Sequence, residues 1–461
     1  MTTQTALAGQ ENWSSRLSFF LTALGVSVGL GNIWRFPYAA GENGGGAFIL
    51  IYLVCAFGIG LPLLIAELSI GRRGRLNPIG STRAVALEAG QSKHWGAVGG
   101  IAIVAVFMVL GFYTVVAGWT FDYFVKAATG SFAGLSSAES GALFDGLMSS
   151  PFRMALWQIL VIALVVFIVS RGLRSGVERS AKIFMPLLFI CLLLLVIYAG
   201  FTGDLAATYG FMIQPDFSKV TLAVVLAAVG QAFFSIGLAF AAMMTFGSYL
   251  APHVSIPKSA ALLVAGDTAV ALLAGFAIFP IVFAYGLEPS GGPGLVFTTL
   301  PLAFGQMHLG ALIGAVFFLL LVLGALTSCI GSFEPILRWA EEKWQIRRTR
   351  AAIITGLIVW LLGIGPVLSF NLLKDFHPVV FLKTLADLTI FDAQVYISTN
   401  ILIVLSGIAM SLLAGWVMTR HVLLKETGLA DGYLFTALRL VLKIIAPVAL
   451  GIVLIMGVLS P

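Results

Sequence analysis

Apolar runs of 18 or more residues recur along the whole length of this sequence. A helix of that length crosses a hydrocarbon core of about 30 Å, so each run predicts one membrane span. Little of the 461-residue chain is left over for a soluble part, and we expect one integral membrane domain over 1–461. The eleven predicted spans are 16–38, 46–70, 96–125, 154–170, 178–201, 221–250, 258–286, 308–338, 351–368, 394–419 and 436–459.

The charged residues are distributed unevenly between the segments that join these spans. They make up only 10% of the chain, far below the share in soluble proteins. With the N-terminus inside, 20 of the 26 Lys and Arg residues fall in inner segments and 5 in outer ones. Because inner loops of membrane proteins are enriched in Lys and Arg, this asymmetry predicts a cytoplasmic N-terminal segment, 1–14, and an extracytoplasmic C-terminus. The net charge of +6 is then a topology signal, and we expect a lipid bilayer rather than nucleic acid as partner.

Signatures of several other protein classes are missing from the sequence. Cys55, Cys191 and Cys329 all lie within predicted spans, so they predict no disulfide framework. No pair among the five histidines has the spacing of metal ligands. We find no nucleophile elbow, phosphate loop or zinc motif, and we expect no enzyme activity. The polar start of the chain lacks the pattern of a cleaved secretory signal.

Two predicted spans contain residues that weaken helices. They are the first, with GVSVGLGNIWRFP at 25–37, and the sixth, with SIGLAF at 235–240. If five spans form each half of the chain, 15–201 and 221–420, the halves run in opposite directions and 435–460 is an additional helix. Matched interruptions in inverted halves are typical of the central site of a transporter. Close helix packing at glycine is the alternative, but it does not explain Asn32 and Arg35 inside a span.

The interrupted stretches belong to a larger set of motifs with a family resemblance. Beside GLGNIWRFP at 29–37, the set includes ENGGGAF at 42–48, GLPLLIAE at 60–67, RG at 171–172, GVERSAKIFMP at 176–186, GQAFFS at 230–235 and GALTS at 324–328. Together they resemble the neurotransmitter:sodium symporter family over nearly the whole chain. The resemblance implies an all-α membrane fold of about eleven helices, with an inverted five-helix repeat and unwound first and sixth helices. It also implies sodium-coupled uptake of amino acids or related amines by alternating access.

The resemblance implies two sodium sites, which suit a hard cation that prefers several oxygen ligands. Asp267 stands where many members have asparagine, and a fixed carboxylate there would replace chloride, so we expect chloride-independent uptake. A protonated, hydrogen-bonded acid is the alternative reading of Asp267. The buried acid Glu67 either braces unwound backbone, which we favour, or carries a proton. The implied ligands are Ser27, Asn32, Ser235 and Asp267 at the first site and Gly25, Val28, Gly324, Thr327 and Ser328 at the second.

Position 29 bears on the substrate. Family members that carry biogenic amines have aspartate there, whereas this chain has Gly29, so the substrate must bring its own carboxylate. The amides of Leu30 and Gly31 and the hydroxyl of Tyr113 are the implied partners of that carboxylate. The implied pocket residues are Val26, Ser27, Leu30, Gly31, Val109, Tyr113, Phe234, Ser235, Gly237, Phe240, Ser328 and Ser332.

This pocket lacks a partner for a charged side chain, which would be costly to bury alone. We therefore expect a neutral, mainly hydrophobic L-amino acid. A small polar zwitterion such as glycine, a betaine or a β-amino acid is the alternative cargo. An ion channel, or a receptor or structural membrane protein, is the alternative of a different class.

The family's gates are matched only in part. Arg35 resembles the arginine of the outer gate, with Phe240 and Tyr113 as a thin lid. Its usual acidic partner is replaced by Val395, which leaves Asp392 as the substitute candidate.

At the inner face Trp13 matches a family tryptophan, but Gln10 stands where a basic residue is usual. Glu342, the expected distant partner, then lacks its mate. In the fifth span, Gly176 and Pro186 indicate either partial unwinding during transport or a static kink. The lack of large soluble termini favours a bacterial inner-membrane protein. The oligomeric state stays open, with a monomer sufficient for transport.

Overall fold

The computed structural model describes residues 12–289, 294–379 and 386–459, and within these ranges the chain is all-helical. Nine helices of the described ranges are long and apolar enough to cross a membrane. A tenth span is the pair Arg16–Ser27 and Gly31–Glu42, bent by 51°. The predicted sixth span is divided into Leu222–Ile236 and Ala242–Ser248. The nine unbroken spans are Gly46–Gly74, Lys93–Ala128, Pro151–Val169, Leu173–Thr202, Ile256–Ala284, Gly310–Trp344, Arg348–Leu368, Ile390–Val417 and Tyr433–Val458.

All eleven predicted spans are therefore present as helices in the described chain, although several ends differ from those expected. The fourth span begins at Pro151 because the Ser150 hydroxyl caps it by accepting from the Arg153 amide. The eighth span continues to Trp344, beyond the predicted end at 338. Charged residues do not stop it, since Arg338 and Glu342, one turn apart, form an ion pair along the helix at 2.9 Å.

The breaks in the first and sixth spans are short. The first break, Val28–Leu30, is followed by a π-helical turn over Gly31–Arg35. The second break covers residues 237–241 and contains two alanines with left-handed backbone, Ala239 at φ 64° and Ala241 at φ 62°. Such a conformation costs roughly 1–2 kcal/mol for a residue with a β-carbon, so surrounding contacts must hold it in place.

Short helices connect the spans. They are Pro78–Glu88, Ser137–Met148, Leu205–Ile213, Leu300–Gln306 and Arg420–Thr427. The second of them begins with a capping box, in which Ser136 and Glu139 each accept from the other's backbone amide. The amide and the hydroxyl of Ser136 both donate to the exposed Glu139 carboxylate, at 2.9 and 2.7 Å, and these two hydrogen bonds lower its pKa.

The second span and the inner half of the sixth span, Ala242–Ser248, are interlocked by a reciprocal pair of glycines. A β-carbon at Gly71 would collide with the carbonyl oxygen of Met244, and one at Gly247 would collide with the backbone of Leu68. Only glycine permits backbones to approach this closely. The two helices therefore pack backbone against backbone at two points.

One end of the bundle, called here the basic end, carries most of the arginines. Buried Arg72, at the end of the second span, donates to the Val254 carbonyl at 2.6 Å and pairs with Glu426 at 2.9 Å. Arg73 pairs with Glu88 and with Glu426. Together these contacts join the second span to three connecting segments at the basic end.

A second buried ion cluster lies at the opposite end of the third span. The Asp122 carboxylate is fully buried and lies 2.6 Å from the Arg153 guanidinium and 2.9 Å from the Lys126 ammonium. The Trp157 indole also donates to Asp122, at 2.8 Å. This acid is thus compensated by two cations, which is the usual condition for burying a carboxylate.

Candidate ion and substrate site

The two breaks face each other at the centre of the bundle and are joined by side chains. The Ser27 hydroxyl donates to the Ile236 carbonyl at 2.8 Å, and the Gln231 amide donates to the Gly31 carbonyl at 2.9 Å. The last carbonyls of a helix lack donors within that helix. Ile236 ends its half-helix, so the Ser27 hydroxyl supplies the donor that the Ile236 carbonyl lacks there, whereas the Gly31 carbonyl also accepts from the Phe36 amide of its own helix.

The first group of predicted sodium ligands meets beside the first break. The Asn32 amide nitrogen lies 2.9 Å from the Ser235 hydroxyl and 2.8 Å from one Asp267 carboxylate oxygen. The Ser235 hydroxyl donates to the other Asp267 oxygen at 2.7 Å. The hydroxyl of Ser27, the fourth predicted member, donates to the carbonyl of Ile236, the residue that follows Ser235.

The charge of this group is uncompensated by protein. Asp267 is fully buried, and it takes part in none of the ion pairs of the described chain. A buried carboxylate without a cation is costly. One carboxylate beside a hydroxyl and an amide is a donor set that fits a hard monovalent cation. No group of three His, Cys, Asp or Glu side chains suitable for a transition metal occurs in the described part.

The second group of predicted ligands lies where the first span packs on the eighth. The Ser328 hydroxyl is 3.1 Å from the Val26 carbonyl and 3.4 Å from the Gly25 carbonyl. A β-carbon at Gly25 would lie 3.2 Å from Cβ of Thr327. The Thr327 hydroxyl donates to the Leu323 and Gly324 carbonyls of its own helix. Val28, at the end of the inner half, has extended backbone that turns out of the helix.

Glu67 contacts the second break directly. One of its carboxylate oxygens accepts from the Ala239 amide at 2.5 Å, while the other is buried without a hydrogen-bond partner. The contact fixes the backbone amide of Ala239, the first of the two left-handed alanines. This geometry is what the bracing interpretation of Glu67 requires.

A pocket lies between the two breaks. The Tyr113 hydroxyl accepts from the Leu30 amide at 3.2 Å at its edge. A β-carbon at Gly29 would lie 2.7 Å from that hydroxyl and would collide with the Ser328 hydroxyl. None of the lining side chains is charged, and the enclosed space is about 40 Å³. The lining residues are Val26, Ser27, Gly29, Gly31, Val109, Leu110, Tyr113, Phe234, Gly237, Phe240, Ser328 and Ser332.

Comparison with known proteins accounts for this arrangement. The sequence model of the sodium:neurotransmitter symporter family matches residues 10–139 and 147–460. The chain belongs to this family. It is 37% identical to an uncharacterized sodium-dependent transporter, YhdH, of Bacillus subtilis, over 97% of this chain and 98% of that protein. An uncharacterized sodium-dependent transporter of Haemophilus influenzae is 34% identical, over 89% of this chain and 90% of that protein.

A solved structure is similar to the whole fold. The crystal structure of MhsT in complex with L-phenylalanine superposes with a TM-score of 0.89 and is 39% identical, covering 97% of this chain and all of that one. The prediction of an all-α membrane fold with broken first and sixth spans is thereby confirmed. As a member of the symporter family, the chain is an integral membrane protein of a sodium-dependent class of transporters. The bounds of the two half repeats stay a prediction.

The outer gate expected for the symporter family is only partly assembled. Arg35 and Asp392 line the same vestibule, of about 280 Å³, but form no ion pair. The Arg35 guanidinium lies 4.6 Å from the centre of the Phe234 ring instead. Thr389 caps the helix that contains Asp392: its hydroxyl accepts from the Asp392 amide at 3.2 Å and donates to the Asp392 carboxylate at 2.7 Å. The expectation that Asp392 pairs with Arg35 is not met in this conformation, because the capping bond holds Asp392 at its own helix.

The residues predicted for the inner gate, Trp13 and Glu342, both have partners in the structure. The Trp13 indole donates to the Phe246 carbonyl at 3.0 Å and packs edge-on against the Tyr249 ring. Glu342 does not lack a mate: it pairs with Arg338 at 2.9 Å and accepts from the Asn77 side chain at 2.6 Å. The predicted loss of its usual partner near the N-terminus is a separate point and stays a prediction. Gln10 lies outside the described residues.

Arg338 was not among the residues predicted from the sequence, yet it has several partners beside Glu342. It donates to the Ser248 hydroxyl and, at 2.7 Å, to the Arg75 carbonyl, and it covers the Tyr249 ring at 4.4 Å. The i, i+4 spacing from Glu342 was the available signal.

The fifth span is helical throughout. Gly176 lies in a π-helical turn, Leu173–Glu178, where a β-carbon would collide with the Ile168 carbonyl of the fourth span. Pro186 lies inside the α-helix that follows. Close packing thus explains Gly176 in this conformation, and unwinding during transport stays a prediction.

Proposed function

We propose that the chain imports a neutral, mainly hydrophobic L-amino acid together with sodium by alternating access. The observation that carries this proposal is the pairing of the Leu30 amide and the Tyr113 hydroxyl at one edge of an uncharged pocket. Both groups are donors that a carboxylate would accept from, and Gly29 places no side chain beside them. The structural relative MhsT was crystallised with L-phenylalanine, which supports an amino acid as cargo.

The first sodium ion is proposed at Asp267, Asn32, Ser235 and the Ser27 carbonyl. In the described conformation the Asn32 nitrogen faces Asp267, while the Asn32 oxygen accepts from the Gly29 amide at 3.3 Å. A half-turn of the side-chain amide would present the oxygen to the ion. It would also release the Gly29 amide toward the pocket. Sodium binding and carboxylate binding would then favour each other.

A second sodium ion is proposed between Gly25, Val28, Gly324, Thr327 and Ser328. These residues supply only carbonyl and hydroxyl oxygens, which dehydrate sodium without holding it too tightly to release. Neutral ligands suit an ion that must leave on the cytoplasmic side, where we place the basic end. We further propose that Asp267 makes chloride unnecessary. Replacing external chloride by gluconate at constant sodium tests this, and loss of uptake would contradict it.

The gates follow from the same proposal. Arg35 and Phe234, with Tyr113 and Phe240, would close the pocket from the vestibule. Trp13, Arg338 and Glu342 would close it at the basic end. Gly176 and Pro186 would allow the fifth span to open there. A monomer contains all of these parts.

One observation favours a second cargo. The enclosed space of about 40 Å³ is small for a bulky side chain in the described conformation, so a small zwitterion such as glycine, a betaine or a β-amino acid is the alternative. Against it, a β-carbon at Gly237 would have no neighbour closer than 3.9 Å, which leaves room for a larger side chain.

A thermal-shift screen of the twenty amino acids and betaine, with sodium and with potassium, separates the two cargoes, since a ligand stabilises the state that it binds. We expect stabilisation by hydrophobic amino acids in sodium alone. Uptake into proteoliposomes then tests transport. Accumulation above equilibrium that persists without a sodium gradient or voltage would overturn sodium coupling.

A further inference from the structure

An apolar groove runs between the fourth and ninth spans on the outside of the bundle. It holds about 360 Å³ and belongs to neither the pocket nor the vestibule. Its lining residues are Ile159, Ile162, Ala163, Val166, Ile353, Gly356, Leu357 and Trp360.

The groove exists because the two helices touch closely at only part of their length. A β-carbon at Gly356 would lie 2.7 Å from a methyl of Val166 and 3.2 Å from one of Ile162. Away from this contact the side chains are exposed at the surface of the bundle: Ile353 is 48% exposed and Leu357 is 55% exposed. The groove is therefore an open channel on the membrane-facing surface rather than a packed seam.

Its mouth lies at the basic end. The Arg348 guanidinium donates to the Val169 carbonyl at 2.7 Å, which joins the start of the ninth span to the end of the fourth. Arg350 precedes Ile353 by three residues, so it continues the stripe of the ninth span that lines the groove. The Arg171 guanidinium lies 3.9 Å from the centre of the Phe167 ring and so folds back along the fourth span.

The arginines at this mouth are not neutralised by protein. Arg171, Arg347 and Arg350 are exposed and take part in none of the ion pairs of the described chain. The nearby acids Glu334 and Glu341 pair with Arg348, at distances of 2.5 and 3.6 Å. Three positive charges thus surround one end of an apolar channel.

We propose that this groove binds an anionic phospholipid, with one acyl chain along the groove and the phosphate between Arg171 and Arg350. Chain contacts alone give no selectivity, because lipid tails are as apolar as the groove. Selectivity comes from the head group, and each basic residue near the surface contributes about a fivefold gain in affinity for an anionic lipid. The proposal does not depend on which solute the chain transports.

The test is native mass spectrometry of the full-length, delipidated protein titrated with phosphatidylglycerol or with phosphatidylcholine of the same chains. We expect tighter binding of phosphatidylglycerol. Arg171→Gln and Arg350→Gln should each weaken it about fivefold and weaken phosphatidylcholine less, because the choline of that lipid offsets the charge of its phosphate. Arg83→Gln is the matched control, because Arg83 is exposed near the basic end but far from the groove in sequence and forms no ion pair in the described chain.

A second variant tests the apolar part separately. Ala163 is exposed in the groove, and Ala163→Phe should weaken both lipids by filling the channel without touching the core. Equal binding of the two lipids by the unaltered protein would overturn the proposal. So would equal effects of Arg350→Gln and Arg83→Gln, or a dimer of the chain that excludes lipid and is lost on Ala163→Phe.

Discussion

Substituting Asp267 by asparagine should have opposite effects on the protein with and without sodium. Asp267 is fully buried, accepts from Asn32 and Ser235, and pairs with no cation of the described chain. Without sodium, its charge destabilises the folded protein. With sodium, the same charge attracts the ion. The substitution removes both effects and keeps the shape of the side chain.

The expected magnitude follows from the distances. Polar atoms of Ser235 and Asn32 lie 2.7 and 2.8 Å from the two Asp267 carboxylate oxygens, so an ion that these three residues share lies within about 4 Å of the charge. At that separation unit charges attract by about 4 kcal/mol at an effective dielectric constant of 20. The new amide retains one oxygen ligand and offsets part of the loss. We expect sodium affinity to fall about 100-fold, equivalent to about 2.7 kcal/mol.

The assay is the melting temperature of purified protein during a sodium titration, with potassium keeping the ionic strength constant. Asp267→Asn should melt higher than the unaltered protein in potassium and gain less from sodium. Asp122→Asn is the control, since Asp122 is equally buried but compensated by Lys126 and Arg153. It should melt lower in both salts, because it leaves two cations unpaired.

Two results would refute the reasoning. One is a sodium midpoint for Asp267→Asn within threefold of the unaltered protein, which would place the ion elsewhere. The other is a lower melting temperature of Asp267→Asn in potassium, which would mean that the carboxylate is already satisfied by the protein.

Three further predictions concern other parts of the chain. Gly29→Ala places a methyl group within 2.7 Å of the Tyr113 hydroxyl, and overpacking of this kind costs about 1–3 kcal/mol. Substrate affinity in a binding assay should therefore fall at least about fivefold, while the helix content measured by circular dichroism stays unchanged. Arg338→Gln removes the donor to Ser248, so hydrogen exchange in the inner half of the sixth span should rise, with Arg338→Lys intermediate; unchanged exchange would argue against a gating role. Ser136→Ala removes a capping box worth about 1 kcal/mol and should speed exchange only in the helix that it caps, whereas faster exchange throughout the protein would contradict a local role.

The fold could be predicted largely because a bilayer demands long apolar helices, and the sequence shows them directly. Both breaks were also predictable, since Gly29, Asn32 and Gly237 weaken a helix inside a membrane span. Backbone groups without hydrogen bonds are costly in hydrocarbon, so residues of this kind in a span indicate a special role. The meeting of Asn32 with Asp267 followed from the family resemblance rather than from spacing. Residues 235 positions apart come together only through packing of whole helices.

Side-chain partners were predicted less well, for a physical reason. Arg35 was assigned to Asp392, yet the carboxylate stays with the Thr389 hydroxyl at its own helix start. A hydrogen bond within one turn costs little conformational entropy, and an ion pair across a wet vestibule is worth little. The same preference for near neighbours pairs Glu342 with Arg338 instead of with the N-terminal segment.

The interlocked glycines have a mechanical consequence. Sliding the second span along Ala242–Ser248 would drive Gly71 or Gly247 past a backbone carbonyl, with no flexible side chain to give way. The second span and Ala242–Ser248 therefore move as one rigid body. Any movement of helices that opens the basic end moves the two together. The change in direction between the halves of the sixth span must then occur at residues 237–241, where that span is already broken.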